Sequence, residues 1–162
     1  MFYGALRHCD VANGEGCRVS LFVSGCRNNC PGCFNKEAQD FHYGQPFTEE
    51  TLDEIIEALK PEHISGLTIL GGEPMDETNQ WTVLAIVQKV REMFGWSKTI
   101  WIFTGYVLDK DLIQGGRAHT ACTHNILDQI DVLVDGPFIQ ELKDISLQFR
   151  GSSNQRIIHL HQ

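Results

Sequence analysis

The chain has no apolar run approaching the roughly 20 residues that a helical membrane span requires. Its N-terminal MFYGALRHCDV has neither a basic stretch leading into a long apolar segment nor a small-residue cleavage site. Export and membrane insertion are not expected, and a cytoplasmic location is. Basic residues are scarce: 13 Lys and Arg stand against 21 Asp and Glu, for a formal charge of −8. A field of that sign repels phosphate backbones and anionic lipid, which argues against nucleic acid and membrane as partners. The acidic excess reads as solvated helix faces such as 49-EETLDE-54. Internal repeats, low-complexity tracts and Pro/Gly/Ser linkers are missing too, so residues 1–162, 42% apolar, are expected to form one domain.

What remains is an alternation of β-rich runs and helical patterns. Strands are expected at 19-VSLFVS-24, 67-LTIL-70, 99-TIWIF-103, 131-DVLV-134 and 157-IIHL-160. Thr48 is placed to cap a helix in which Leu52, Ile55, Ile56 and Leu59 share one face and which Pro61 ends. A second helix spans about Gln80 to Phe94 and stops at Gly95, and a short one covers roughly Leu108 to Gln114. Strands separated by helical crossovers imply a parallel sheet with right-handed connections, hence an α/β fold. A full (β/α)8 barrel needs about 250 residues, so the expected architecture is a single-domain partial (β/α) barrel, or an open sheet, with parallel strands. In either form the loops carrying Cys26, Gly71, Thr104 and Asp135 gather at the strand C-terminal ends, where sites assemble.

Six cysteines in a secreted chain would suggest disulfides, but three of these crowd into positions 26–33, which favours thiolate ligation. Cys26, Cys30 and Cys33 stand in a loop whose short spacers let the backbone curl round one inorganic centre. A closed structural zinc site needs four protein ligands, and a simple electron-carrying [4Fe-4S] cluster usually has four cysteines. A [4Fe-4S] cluster on three cysteines leaves one iron open, as catalytic metal sites do.

The Cys26-x-x-x-Cys30-x-x-Cys33 spacing, with 71-GGEP-74 after the second expected strand, resembles the radical S-adenosylmethionine enzymes. In that family the amino and carboxylate groups of S-adenosylmethionine chelate the open iron, and the GGE segment binds the amino group. The resemblance implies Cys26, Cys30 and Cys33 as metal ligands and Gly32, Cys33, Phe34, Gly71, Gly72 and Glu73 around S-adenosylmethionine. The glycines would allow close approach of the backbone, and Glu73 or a freed carbonyl would accept bonds from the ammonium. Related enzymes often place an aromatic just before the third cysteine; here that residue is Gly32, and Phe34 is expected to supply the ring.

A closer resemblance covers nearly the whole chain. Segments 19-VSLFVSGC-26, 30-CPGCFNK-36, 44-GQPFT-48, 104-TGY-106, 131-DVLVDGPF-138 and 147-LQFRGSSNQ-155 are similar to the glycyl-radical activating enzymes that serve anaerobic ribonucleoside-triphosphate reductases. The family's Gly-Pro-Gly before the cluster strand stands here as Gly14-Glu15-Gly16. The resemblance implies an oxidoreductase that cleaves S-adenosylmethionine reductively to methionine and 5′-deoxyadenosine and leaves a glycyl radical on the reductase large chain. A reducing partner such as flavodoxin would supply the electron, and no protein acid or base is implied. The rival functions are activation of another glycyl-radical enzyme, a small-molecule radical reaction, and a non-catalytic iron–sulfur carrier or zinc module.

Other residues carry plainer readings. Cys9, Cys17 and Cys122 are expected to be buried or incidental thiols, and His119, Cys122 and His124 match no zinc spacing. Gly14-x-Gly16 reads as a turn, because it precedes its strand. Thr104 and Asp135 are cofactor contacts or loop caps. Trp81, Trp96 and Trp101 are expected to be core or helix-packing residues, and Arg150 with 151-GSSN-154 either touches the reductase or supports the last strand.

Overall fold

The computed structural model describes residues 1–28 and 36–161. Seven strands form one sheet in the order β3-β1-β2-β4-β5-β6-β7. These are β1 (Phe2–Asp10), β2 (Cys17–Val23), β3 (Gln45–Pro46), β4 (Ile64–Gly71), β5 (Thr99–Phe103), β6 (Val132–Asp135) and β7 (Arg156–His159). The helices are α1 (Glu49–Leu59), α2 (Gln80–Phe94), α3 (Leu108–Asp111) and α4 (Thr123–Gln129). No helix among the described residues is long and apolar enough to cross a membrane.

The expectation of an all-parallel sheet holds only for its middle. β2, β4, β5 and β6 are parallel neighbours, whereas β1 runs antiparallel to β2 and β3, and β7 runs antiparallel to β6. The link from β1 to β2, residues 11–16, is too short for a crossover and permits only a hairpin. β1 itself escapes the periodicity, because its residues FYGALRHCD are mostly half-buried or exposed and mix apolar with basic side chains. Helix α3 stops at Asp111, three residues before the expected end.

The two long helices follow their local signals. Thr48 and Thr51 form a capping box at the start of α1, with Glu49 and Glu50 at the positive end of the helix. Gly95 closes α2 with a φ of 59°.

Side chains alternate across the sheet and give it two different faces. Val19, Leu21, Leu67, Ile69, Ile100 and Ile102 point to one side and pack with Ile55 and Leu59 of α1, Ile86 and Val90 of α2, and Ile126 of α4. The other side carries Arg18 and Ser20 of β2, Thr68 of β4, and Trp101 of β5, all buried. Loops cover this inner face: Thr68 Oγ1 donates to the Asn13 carbonyl at 2.7 Å, and Phe149 packs edge-on to Trp101 with centroids 5.3 Å apart. Positive φ values at Gly14 and Gly16 confirm that the segment between them is a turn.

Arg18 is wholly buried on this face, and each N–H is satisfied. Nε donates to Thr68 Oγ1 at 2.8 Å, one terminal nitrogen to the Glu15 carbonyl and Thr99 Oγ1, and the other to the Leu67 and Thr99 carbonyls. Burial draws its pKa down to about 10, opposed by the charges of Asp131 and Glu15.

Two expectations about side chains are corrected. Cys9 and Cys17 form a disulfide, with Cα atoms 5.4 Å apart, because the hairpin brings the end of β1 back beside the start of β2. Trp101 is buried, but Trp81 is 71% and Trp96 54% exposed. The Arg91 guanidinium lies 3.8 Å from the centroid of the Trp96 ring. Nothing in the structure explains the exposure of Trp81.

Replacing Arg18 by Met roughly keeps the volume and removes every hydrogen bond that the Thr68 and Thr99 hydroxyls and the Glu15, Leu67 and Thr99 carbonyls receive from the guanidinium. Arg18→Met is expected to lower unfolding stability by about 3 kcal/mol or more, read from the denaturant midpoint at unchanged slope.

Candidate functional site

Strands β2, β4, β5 and β6 end together, and beyond their C-terminal ends on the inner face lies a cavity of about 430 Å³. Cys26, Gly71, Gly72, Glu73 and Thr104 line it. Of the residues expected to hold a cluster, Cys26 is half-buried at this wall. Cys30, Gly32, Cys33 and Phe34 lie outside the described residues. Asp135, the other strand-end candidate, is not in the wall: its carboxylate accepts from Arg156 and from the Leu108 N–H.

The glycine pair serves close approach between two loops. Gly71 has a φ of +114°, and a Cβ at Gly72 would lie 2.6 Å from the Ala38 carbonyl and 2.7 Å from that of Gly25. With no side chain in the way, Gly72 N–H donates to the Val23 carbonyl at 2.8 Å and Glu73 N–H to the Gly25 carbonyl at 2.7 Å. The segment after β4 is thereby bonded to the segment that leads into Cys26.

Glu73 has no solvent exposure. Its Oε1 accepts from Gly105 N–H at 2.6 Å and Asn28 Nδ2 at 3.1 Å; its Oε2 accepts from Thr104 Oγ1 at 2.6 Å and Met75 N–H at 2.9 Å. Four donors match the four lone-pair sites of a carboxylate. Burial still raises its pKa to about 7, against the lowering effect of Thr104, Gly105 and Met75. Tyr106, nearby, is pushed up to about 12 by burial and then by the charge of Glu73.

A second clamp holds the cysteine loop. Arg27 donates to both oxygens of buried Asp76 at 2.9 and 3.0 Å, while its guanidinium lies 4.9 Å from the Phe41 ring centroid. Asn79 Nδ2 donates to the carbonyls of Ser24 and Glu73 at 3.1 and 2.9 Å. Sequence reasoning passed over Arg27, Asn28, Asp76 and Asn79. Their only signal was adjacency to Cys26 or to GGEP, since ordinary polar residues in loops carry no periodicity.

The apolar part of the wall combines the rings of Phe103, Phe138 and Phe149 with the aliphatic Leu70, Val134 and Leu147. The cavity thus combines a thiol, a glycine segment with restricted backbone and flat apolar surfaces. Such a wall suits a small ligand that is polar at one end and carries an aromatic base at the other. His119, Cys122 and His124 do not converge: Cys122 is buried in the core, while His124 sits on the surface of α4, 3.2 Å from Asp128. Among the described residues no three His, Cys, Asp or Glu side chains are grouped to hold a metal ion.

A family profile described as a 4Fe-4S single cluster domain matches residues 12–158. The chain is 45% identical over 154 residues to the anaerobic ribonucleoside-triphosphate reductase-activating protein of Escherichia coli K12, covering 93% of this chain and 94% of that protein. It is 46% identical over 152 residues to the protein of the same name from Haemophilus influenzae, covering 93% and 92%. A third protein of that name, from enterobacteria phage T4, is 37% identical over 157 residues, covering 97% and 93%.

The buried carboxylate gives a pH test. Its folded value near 7 exceeds the ordinary 4.5, so the folded chain holds this proton more tightly than the unfolded chain. That contribution to stability is complete below about 4.5 and is lost as pH rises through about 7. Glu73→Gln sets an amide NH2 against N–H donors and is expected to cost about 1–3 kcal/mol at neutral pH. It should also remove the decline in stability between those two pH values. Denaturant titrations across the window at fixed metal loading check both effects.

Proposed function

Because this chain belongs to the family of anaerobic ribonucleoside-triphosphate reductase-activating proteins and contains a 4Fe-4S single cluster domain, we propose that it places a glycyl radical on the large chain of such a reductase. In this reading it is a radical S-adenosylmethionine enzyme, and the reductase is its protein substrate. The observation that carries the reading is the meeting of Cys26 and the Gly71–Glu73 segment at one cavity on the strand C-terminal ends. Neither segment alone would point to a cofactor that needs both.

Cys26, Cys30 and Cys33 would hold a [4Fe-4S] cluster, and the wall beside Cys26 would hold S-adenosylmethionine. When bound, the pair supplies one-electron cleavage of a sulfonium C–S bond, giving methionine and the abstracting radical. The chain's own residues place and shield. Gly71 and Gly72 keep the second loop against the first, as their bonds to Val23 and Gly25 require. Glu73 spends its lone pairs on Asn28, Met75, Thr104 and Gly105, so its part is to position loops, and the ligand ammonium is left to backbone carbonyls and to Gly32, Cys33 and Phe34. Phe103, Phe138 and Phe149 exclude water from the adenosine. Tyr106, pushed up to about 12, is a poor proton carrier at neutral pH, in keeping with chemistry that needs neither acid nor base. The electron would come from a low-potential donor such as flavodoxin in the cytoplasm.

Reconstituted, reduced protein mixed with S-adenosylmethionine and the reductase is expected to yield 5′-deoxyadenosine and a glycyl doublet in the paramagnetic resonance spectrum. Absence of both sinks the proposal. Nucleoside without the doublet leaves a radical enzyme with a different target. Cys26→Ala is expected to lose the cluster absorbance and at least about 100-fold of nucleoside formation, since the remaining thiols cannot complete the ligand set.

A further inference from the structure

Arg150 is the one cationic side chain among the described residues that line the cavity, and Glu73, its one carboxylate, is already saturated. The Arg150 Nε is buried with no hydrogen-bond partner among the described residues, and a terminal nitrogen of the guanidinium donates to the Gln155 carbonyl at 3.2 Å. A buried N–H on a charged group is seldom left without an acceptor, because the desolvation is then uncompensated. The neighbouring charge of opposite sign is Asp144, which lies at the surface and is engaged by Ser146.

The backbone on both sides of Arg150 is constrained. Phe149, just before it, has a φ of 60°, the one positive value among the described non-glycine residues, and its ring is fixed against Trp101. Such outliers persist only where the surroundings enforce them, and they concentrate at ligand sites. After it, Gln155 Oε1 accepts from the N–H groups of Gly151 and Ser152 at 2.8 and 3.1 Å, and Gln155 Nε2 donates to the Gly136 carbonyl at 3.0 Å. The turn is a closed scaffold that presents Arg150 at the wall.

We propose that Arg150 is the carboxylate receptor of this cavity and holds the amino-acid end of S-adenosylmethionine, an inference that rests on the function proposed above. A guanidinium offers parallel N–H groups that match a planar pair of oxygens. The other charged groups of that ligand, its ammonium and sulfonium, are cations that Arg150 repels. A single contact therefore separates the carboxylate from the ammonium within the amino-acid end of the ligand.

The test measures binding to the cluster-reconstituted full chain by equilibrium dialysis, with S-adenosylmethionine and with its decarboxylated analogue as probes. Arg150→Gln is expected to weaken S-adenosylmethionine binding about 10-fold or more and not to weaken binding of the analogue. Arg150→Lys should fall between, and serves alone if the Gln variant loses its thermal transition. Equal S-adenosylmethionine affinity in the wild type and both variants overturns the proposal. Unchanged S-adenosylmethionine affinity with weakened binding of the reductase assigns Arg150 to a carboxylate of the partner and also overturns it. A wild-type protein that keeps its cluster and binds neither sulfonium overturns the functional reading itself.

Discussion

The carboxylate of Glu73 has no access to water, so its charge must be met by protein donors, and the chain brings them from three separate loops. Asn28 comes from the cysteine segment, Met75 from the turn after Glu73 itself, and Thr104 with Gly105 from the end of β5. Removing any of these loops would strand a buried charge, which is among the larger penalties a fold can meet. The cavity wall is consequently rigid at the place where a cofactor would have to be oriented. The bonds of Gly72 and Glu73 to Val23 and Gly25 work in the same direction.

This arrangement depends on a sheet with two unlike faces. One face is closed by α1, α2 and α4 through apolar packing. The inner face instead carries Arg18, Ser20 and Thr68, and is covered by loops. Arg18 replaces what would be an apolar plug with five directional bonds tying β2, β4, β5 and the 11–16 turn together. A polar floor of this kind specifies the register of the strands above it, since a one-residue slip would remove the guanidinium from its acceptors.

The cavity was legible in outline because its makers carry strong local signals. A β-rich run followed by clustered cysteines, and a second run followed by Gly-Gly-Glu-Pro, both place loops at strand ends, and parallel neighbours bring those ends together. The physical reason for the glycines was only partly legible. Sequence reasoning assigned them to close approach of a ligand, whereas the contacts in the folded chain show close approach of Gly72 to Gly25 and Ala38. Arg27, Asp76 and Asn79 could not be found in this way, because their importance lies in partners 49 and 55 residues distant.

The sequence by itself determined the long helices and the parallel run of the central strands, since each follows from short-range periodicity, capping or the helical crossovers between strands. Tertiary structure alone decided the rest: the antiparallel edges β1, β3 and β7, the Cys9–Cys17 disulfide, and the exposure of Trp81 and Trp96. It also decided that Glu73 and Arg18 are buried, one among donors and the other among acceptors. Edge pairing and charge burial depend on which distant segments arrive beside a residue, and no local pattern in a single chain encodes that arrival.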